Sequence, residues 1–293
     1  MTDLPSTESR DPETDAIDTL DDVALARTLV DAHRVAVDAA ARAAPDIARA
    51  IALVAAALRA NARVVLFGAG TSGRLAVLDA AELPPTFGSD PAQVLARIAG
   101  GDDALRRAVE GAEDDVRAGD AAAEDLGAGD VAIGISASGG APYVCAALRT
   151  ARARGATTIA IVNARGTPLA ADSDVAIVAA TGAEPIQGST RMRAGTAQKI
   201  VLNAISTGAM VRAGKTYGNR MIDLVATNAK LRRRSERLVR DVAAVDDPRG
   251  ALDAAGGSVK VAIVMARRDV DRADAERMLR EARGRLADVI GPA

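Results

Sequence analysis

The stretch Val64-Val-Leu-Phe-Gly-Ala-Gly-Thr-Ser-Gly-Arg74 decides how the chain folds. Four apolar residues run straight into Gly68-Ala-Gly70-Thr71-Ser72-Gly73, which reads as a buried strand that stops in a glycine-rich loop and then opens a helix. Glycines let the backbone approach a ligand with no Cβ in the way, and the first amides of the helix point outward, unpaired, at the positive end of its dipole. Phosphate is the natural guest of such a loop, and Thr71 and Ser72 add hydroxyl donors. The same residues satisfy G-x-G-x-x-G, so a dinucleotide site is the first rival. That reading wants an acidic residue roughly 20 positions further on, at the end of the second strand. The next plausible strand, 93–99, runs instead into Gly100-Gly101 and only then Asp102. The fit is poor, and a plain structural turn also stays open.

Outward from this loop, apolar strands at 64–67, 94–99, 131–136, 157–162 and 175–179 alternate with helical stretches at 74–83, from 102 through Glu113, and at 142–154, with Pro84-Pro85 as a break. This alternation predicts an α/β fold, a parallel sheet flanked by helices, in which ligands collect at the carboxyl ends of the strands. Ahead of it, 20–43 and 45–60 are rich in Ala and Arg at helical spacing. Behind it come the polar loop Gly188-Ser-Thr-Arg-Met-Arg-Ala-Gly-Thr196, a long helix over 197–211 and a helical stretch over 221–239. The basic run Lys230-Leu-Arg-Arg-Arg234 in that stretch reads as a solvated helix face. The expected division is an N-terminal helical segment (1–60), a ligand-binding domain (61–240) and a small C-terminal helical domain (246–293) hinged at Asp246-Asp-Pro-Arg-Gly250.

Composition narrows the chemistry further. A formal charge of −2, two Phe, two Tyr and no Trp offer nucleic acid neither general attraction nor a stacking surface. No apolar run approaches the roughly 18 residues of a membrane span, and the polar, acidic start has no secretory pattern, so a cytoplasmic address is expected. One histidine, His33, and one cysteine, Cys145, rule out a disulfide within the chain and a Cys/His zinc cluster. His33 lies in a helical stretch and reads as structural, and Cys145 lies in the apolar pattern Tyr143-Val-Cys-Ala-Ala-Leu148 as a small buried hydrophobe. Acid and base work therefore falls to carboxylates, lysine or tyrosine.

A second loop repeats the first. The strand ending at Ile135 runs into Ser136-Ala-Ser138-Gly139-Gly140, and Pro142 suits the first turn of a helix. Two hydroxyl-bearing turns on one parallel sheet can converge on one ligand. Without an acid for a ribose, the pair favours a phosphorylated sugar over a dinucleotide, with Thr71, Ser72, Gly73, Ser136, Ser138 and Gly139 as its contacts.

These loops resemble those of sugar isomerase (SIS) domains, which bind phosphosugars. Asp79-Ala-Ala-Glu82-Leu-Pro-Pro-Thr86, Val109-Glu-Gly-Ala-Glu113-Asp114, Gly188-Ser-Thr-Arg-Met-Arg-Ala-Gly-Thr-Ala-Gln-Lys199 and Ala226-Thr-Asn-Ala-Lys-Leu231 extend the likeness. Together with the first loop, and from Ser9-Arg10 to the C-terminal helices, they resemble the N-acetylmuramic acid 6-phosphate etherase family. The resemblance implies an SIS-type sandwich and removal of D-lactate from the C3 ether of the sugar. Once the ring opens, the aldehyde acidifies the C2 hydrogen. A base removes it, an acid protonates the departing lactate oxygen, and water adds at C3. That needs one acid and one base, with no metal or other cofactor.

By the resemblance Glu82 is the acid and Glu113 the base, with Ser189, Thr190 and Lys199 as further substrate contacts. On helical grounds Glu82 falls near the end of its helix, where the negative end of the dipole favours a protonated carboxyl, and Glu113 sits among Glu110, Asp114 and Asp115. An ordinary exposed glutamate and a solvated acidic face are the alternatives. In an unbroken helix, nine residues at about 1.5 Å each put Glu82 roughly 13 Å from the loop at Gly73, further than a hexose phosphate spans. Either the helix bends, the side chain reaches back, or the site is shared between the subunits of a homodimer, and the last is the favoured expectation. The family usually has Arg where Gly140 stands and often Ala where Ser136 stands. Rival functions are a non-enzymatic phosphosugar sensor, like the glucokinase regulatory proteins, and an aldose–ketose isomerase.

Overall fold

The computed structural model describes residues 5–223 and 229–293. After three 3-10 turns the chain forms α1 (Asp22–Asp31), α2 (Arg34–Arg42) and α3 (Ala44–Arg59). An alternating body follows: β1 (Val64–Gly68), α4 (Gly70–Phe87), β2 (Val94–Ile98), α5 (Val116–Ala121), β3 (Val131–Ser136), α6 (Pro142–Ala153), β4 (Thr157–Val162), α7 (Pro168–Ala171), β5 (Val175–Val178) and α8 (Arg193–Arg212). The short strands β6 (Thr216–Tyr217) and β7 (Arg220–Met221) and the helices α9 (Ala229–Ala243), α10 (Pro248–Ala254), α11 (Val259–Arg268), α12 (Arg272–Glu281) and α13 (Leu286–Ile290) complete it.

β1 to β5 form one parallel sheet in the order β2-β1-β3-β4-β5. Every residue of β1 and of β3 is buried, the signature of strands covered on both faces. Val65, Phe67, Ala132 and Leu148 belong to one apolar cluster that packs α6 against the sheet. The chain leaves β1 for β2 on one side and then crosses to β3 on the other. The sheet therefore switches direction between β1 and β3, whose carboxyl ends lie side by side with Gly68 opposite Ile135. A ligand crevice belongs at that point.

The contacts divide the chain into two compact units, one comprising Met1–Ala81 and Ala92–Ser206, the other Glu82–Pro91 and Thr207–Ala293. In the second, α9 to α13 enclose a core that includes Val239, Ile263 and Leu286. Within it Asp223 pairs with both Lys215 (2.8 Å) and Lys260 (3.0 Å).

Four local expectations differ from the structure. α4 does not stop at Pro84-Pro85 but runs through both to Phe87. The stretch from 102 to Glu113 is not a helix; it forms two 3-10 turns, Gly101–Leu105 and Ala112–Asp114, because Gly100, Gly101 and Gly111 adopt positive φ of 83°, 66° and 73°. His33 lies at the junction of α1 and α2 rather than inside one helix. Of the expected helix over 221–239, Met221 belongs to β7, α9 begins at Ala229, and 224–228, with the Ala226-Thr-Asn part of its motif, lie outside the described residues. No helix among the described residues is long and apolar enough to cross a membrane.

Candidate active site

The first loop is tight because it is built without side chains. A Cβ on Gly73 would lie 2.5 Å from Ile98 Cγ1 and 2.7 Å from the Gly68 carbonyl oxygen, so only glycine lets α4 start directly against the sheet. The first α4 bond among these residues runs from the Gly73 amide to the Ala69 carbonyl at 3.2 Å. The amides of Gly70, Thr71 and Ser72 precede it and face outward at the positive end of the helix. Ser72 is buried, and its hydroxyl donates to Gln198 Oε1 (2.9 Å). Gln198 donates in turn to Asn163 Oδ1 (2.9 Å), and Asn163 to the Ala179 carbonyl (2.9 Å). The Ser72 proton thus ties the loop to α8 and β4, which leaves the backbone amides and the Thr71 hydroxyl for a ligand.

In the second loop the polarity is reversed. The Gly139 amide donates to Ser136 Oγ (3.1 Å) and the Gly140 amide to Ser138 Oγ (3.3 Å). Both serine hydroxyls act as acceptors inside the loop and keep their protons to donate outward. Gly139 has φ +69°, and a Cβ there would lie 2.4 Å from Thr167 Cβ, so this glycine shapes the turn rather than touching a ligand.

Both loops open into one cavity of about 450 Å³. Thr71, Ser72, Ser136 and Ser138 line it, and the 3-10 turn Ala112–Asp114 brings Glu113 and Asp114 to its rim. Thr190 and Gly188 reach it from the segment before α8, and Glu8 from the N-terminal lead. No Lys or Arg occurs among the described residues that line it. A phosphate would therefore be held by amides and hydroxyls, with carboxylates standing off its other side. Among the described residues no cluster of His, Cys, Asp and Glu could hold a metal ion.

Residues 46–152 match the family "Glucokinase regulatory protein N-terminal SIS domain" and residues 111–207 the family "SIS domain". An N-acetylmuramic acid 6-phosphate etherase from Deinococcus radiodurans is 47% identical over 295 residues, covering 99% of this chain and 97% of that protein. The one from Streptomyces coelicolor is 45% identical over 293 residues, covering 98% and 94%. The chain belongs to the N-acetylmuramic acid 6-phosphate etherase family. Its fold is the SIS fold, and a phosphoheptose isomerase from Francisella tularensis shares that fold at a TM-score of 0.51 and 17% identity, over 66% of this chain and 100% of that one.

The remaining expected site residues do not line this cavity. Gly73 and Gly139 are scaffold under the two loops. Ser189 is half-buried beside Thr190, and its amide donates to the Ile186 carbonyl (2.9 Å). Lys199 Nζ sits 3.7 Å from Asp79 Oδ1, and Asp79 also accepts from the Ser206 hydroxyl (3.3 Å), so the ammonium serves an α4–α8 contact. Glu82 is exposed on α4, does not line the cavity, and is five residues short of the helix end at Phe87, so it lacks the last-turn position expected of it.

One cavity residue, Glu8, came from no physical reading of the sequence. It is held by distant partners: Gln187 Nε2 donates to its carbonyl (3.1 Å), and its carboxylate lies against Gly188. Three residues on, Asp11 pairs with Arg193 at 2.7 Å, largely shielded from solvent. Arg193 also donates to the Ala32 and Ala183 carbonyls, and His33 Nδ1 lies 2.8 Å from Thr196 Oγ1. The lead is thereby strapped to the start of α8. Cys145 is half-buried, and burial pushes its thiol pKa up, which keeps it an inert apolar group.

Proposed function

We infer that the chain cleaves the D-lactyl ether of N-acetylmuramic acid 6-phosphate, giving N-acetylglucosamine 6-phosphate and D-lactate, in the recycling of cell-wall amino sugars. The observation that carries this is one cavity joining two amide- and hydroxyl-lined loops to the Glu113 carboxylate. The phosphate sits on the amides of Gly70 to Ser72 and the hydroxyls of Thr71, Ser136 and Ser138, and Thr190 and Glu8 meet the sugar. The opened sugar presents its C2 hydrogen to Glu113, which takes the proton. The C2 electron pair forms the C2–C3 double bond as the C3–O bond breaks, and Glu82 delivers a proton to the lactate oxygen. Water then adds its oxygen at C3, and C2 regains a proton.

Since α4 is unbroken from Gly70 to Phe87, nine helical residues separate Gly73 from Glu82, roughly 13 Å of rise. The acid is therefore supplied by a second copy of the chain, in a homodimer with shared sites. Leu78, one turn before Glu82 on the same face of α4, is 43% exposed, as a residue awaiting such a partner would be. A phosphorylated sugar does not cross a bilayer unaided, so the work belongs in the cytoplasm. Sensing without catalysis would leave the cavity carboxylates without a task.

The test is incubation with N-acetylmuramic acid 6-phosphate in water enriched in the heavy oxygen isotope. Release of D-lactate with the label in the sugar, and its near-complete loss in Glu113→Gln, is expected. Label in the lactate instead, or undiminished turnover by the variant, would overturn the reading.

A further inference from the structure

Beside the cavity lies a smaller hollow of about 160 Å³. The two share Ala69, Gly70 and Glu113, so the carboxylate assigned as base stands on the boundary between two chambers. Most of the remaining wall is apolar, with Ala99, Ala104, Ala108 and Val109 among it, and Arg74 is the one cation among the described residues that line it. Arg74 lies one turn along α4 from Thr71, and its guanidinium donates to the Arg107 carbonyl at 3.2 Å, which pins the fork against the segment carrying Glu113 while leaving it further donors.

The charges of the two chambers are lopsided. Glu8, Glu113 and Asp114 line the first and Glu110 and Glu113 the second, whereas Arg74 is the single cation among the described residues lining either. The substrate proposed above carries two anionic ends. Its phosphate is met by amides and hydroxyls, but its lactyl carboxylate would have to enter a rim of like charge unless a cation receives it. The lactyl ether is on C3, next to the C2 whose proton Glu113 removes, so the leaving substituent departs from the carbon adjacent to the one that carboxylate faces.

We propose that the smaller hollow is the lactyl subsite, with the Arg74 guanidinium pairing with the lactyl carboxylate and the alanine wall receiving its methyl group. This rests on the etherase reading of the larger cavity. Arg74 then anchors the leaving group, fixes the C3–O bond relative to the C2 hydrogen, and lets the site tell its substrate from a product that lacks the lactyl group. The proton inventory of the elimination is unchanged, because Arg74 exchanges none.

The decisive experiment compares wild type with Arg74→Gln on two substrates, N-acetylmuramic acid 6-phosphate and its analogue in which a neutral carboxamide replaces the lactyl carboxylate, and measures N-acetylglucosamine 6-phosphate binding by calorimetry. The expectation is a fall in kcat/KM of about 10- to 100-fold on the acid, the range of a charge-assisted pair. On the carboxamide the change stays within about 3-fold, and affinity for N-acetylglucosamine 6-phosphate is unaltered. Arg74→Lys, which keeps the charge, should recover part of the loss on the acid alone, and it serves if the Gln variant folds poorly. Equal losses on both substrates would mean that Arg74 merely holds the Arg107 segment, and no loss on either would empty the subsite of its anchor; both overturn the proposal. Wild type that binds N-acetylglucosamine 6-phosphate yet frees neither lactate from the acid nor lactamide from the carboxamide would instead sink the etherase reading itself.

Discussion

Gly140 shows what one missing side chain does to a phosphate cradle. It is exposed, its φ is not in the left-handed region, and a Cβ there would meet nothing closer than Ser138 Oγ at 3.9 Å, so a longer side chain fits without strain. Among the described residues that line the cavity, no Lys or Arg balances a dianion. Gly140→Arg should therefore lower KM for the phosphosugar by about 2- to 10-fold, the worth of a partly solvated ion pair, with kcat nearly unchanged. Steady-state kinetics with the phosphorylated and the unphosphorylated sugar check this, since only the former should respond. Thr71, Ser136 and Ser138 were legible in the sequence because strand, loop and helix are consecutive, and local spacing alone puts their hydroxyls at a sheet's carboxyl edge. Glu8 was not, because its place depends on Asp11 meeting Arg193 across 182 residues, for which no periodicity exists. Lys199 invited a ligand role as a charged residue closing the Gly188–Lys199 motif, and only the fold reveals Asp79 beside it.

Among the elements, α8 carries a device of the same long-range kind. Its first two amides, of Arg193 and Ala194, donate to the two carboxylate oxygens of the fully buried Glu184 at 2.7 and 2.9 Å. Burial pushes the Glu184 pKa up, against the pull of those amides and of Arg193 and His33. Replacing it with Ala leaves two buried donors unpaired at about 1–3 kcal/mol each. Glu184→Ala should thus move the urea midpoint of the sheet-bearing unit down clearly and loosen the Thr190 segment, whereas a midpoint within error of wild type would show that water satisfies the helix end. The cap eluded the sequence reading because it sits nine residues ahead of the helix rather than in the adjacent cap position. Pro84-Pro85 misled it in the opposite sense. Proline removes a donor, but here the lost bonds fall in the last turns, where Leu83 and Phe87 are buried and hold the helix on course. The glycine-laden run around Glu113 offered its own correction: Gly100, Gly101 and Gly111 are poor helix formers, and their positive φ turns the expected helix into the two tight turns that deliver the carboxylate.

At the scale of the molecule, acid response and the proposed sharing of sites between subunits depend on more than any single element. Asp125 pairs with Arg97 of β2 (2.6 Å) and with Arg63 just before β1 (2.8 Å), and Arg63 pairs also with Asp130 just before β3 (2.8 Å). The Arg97 guanidinium, helped by Arg63, holds the Asp125 carboxyl well below the usual carboxylate range. A depressed folded pKa gives stability that is complete above the unfolded value, near 3.9, and drains away as pH falls below it. The stability gap between wild type and Asp125→Asn should hence be constant near neutrality and close below about pH 4; a gap that persists unchanged in acid would show the pair to be packing rather than charge. The parallel sheet and its switch point were readable from hydrophobic runs and glycine loops alone, whereas the proposed assembly rests on a distance problem between Gly73 and Glu82. That problem has a direct solution if each site takes its base from one subunit and its acid from the other. Glu82→Gln and Glu113→Gln enzymes, each inactive alone, should then complement when coexpressed, because a mixed dimer contains one site with both carboxylates intact. Random pairing makes half the dimers mixed, each with one working site of two, so lactate release should return to about a quarter of the wild-type level. Were acid and base drawn from the same chain, every site in every dimer would lack one of them, and the mixture would stay as silent as its parents.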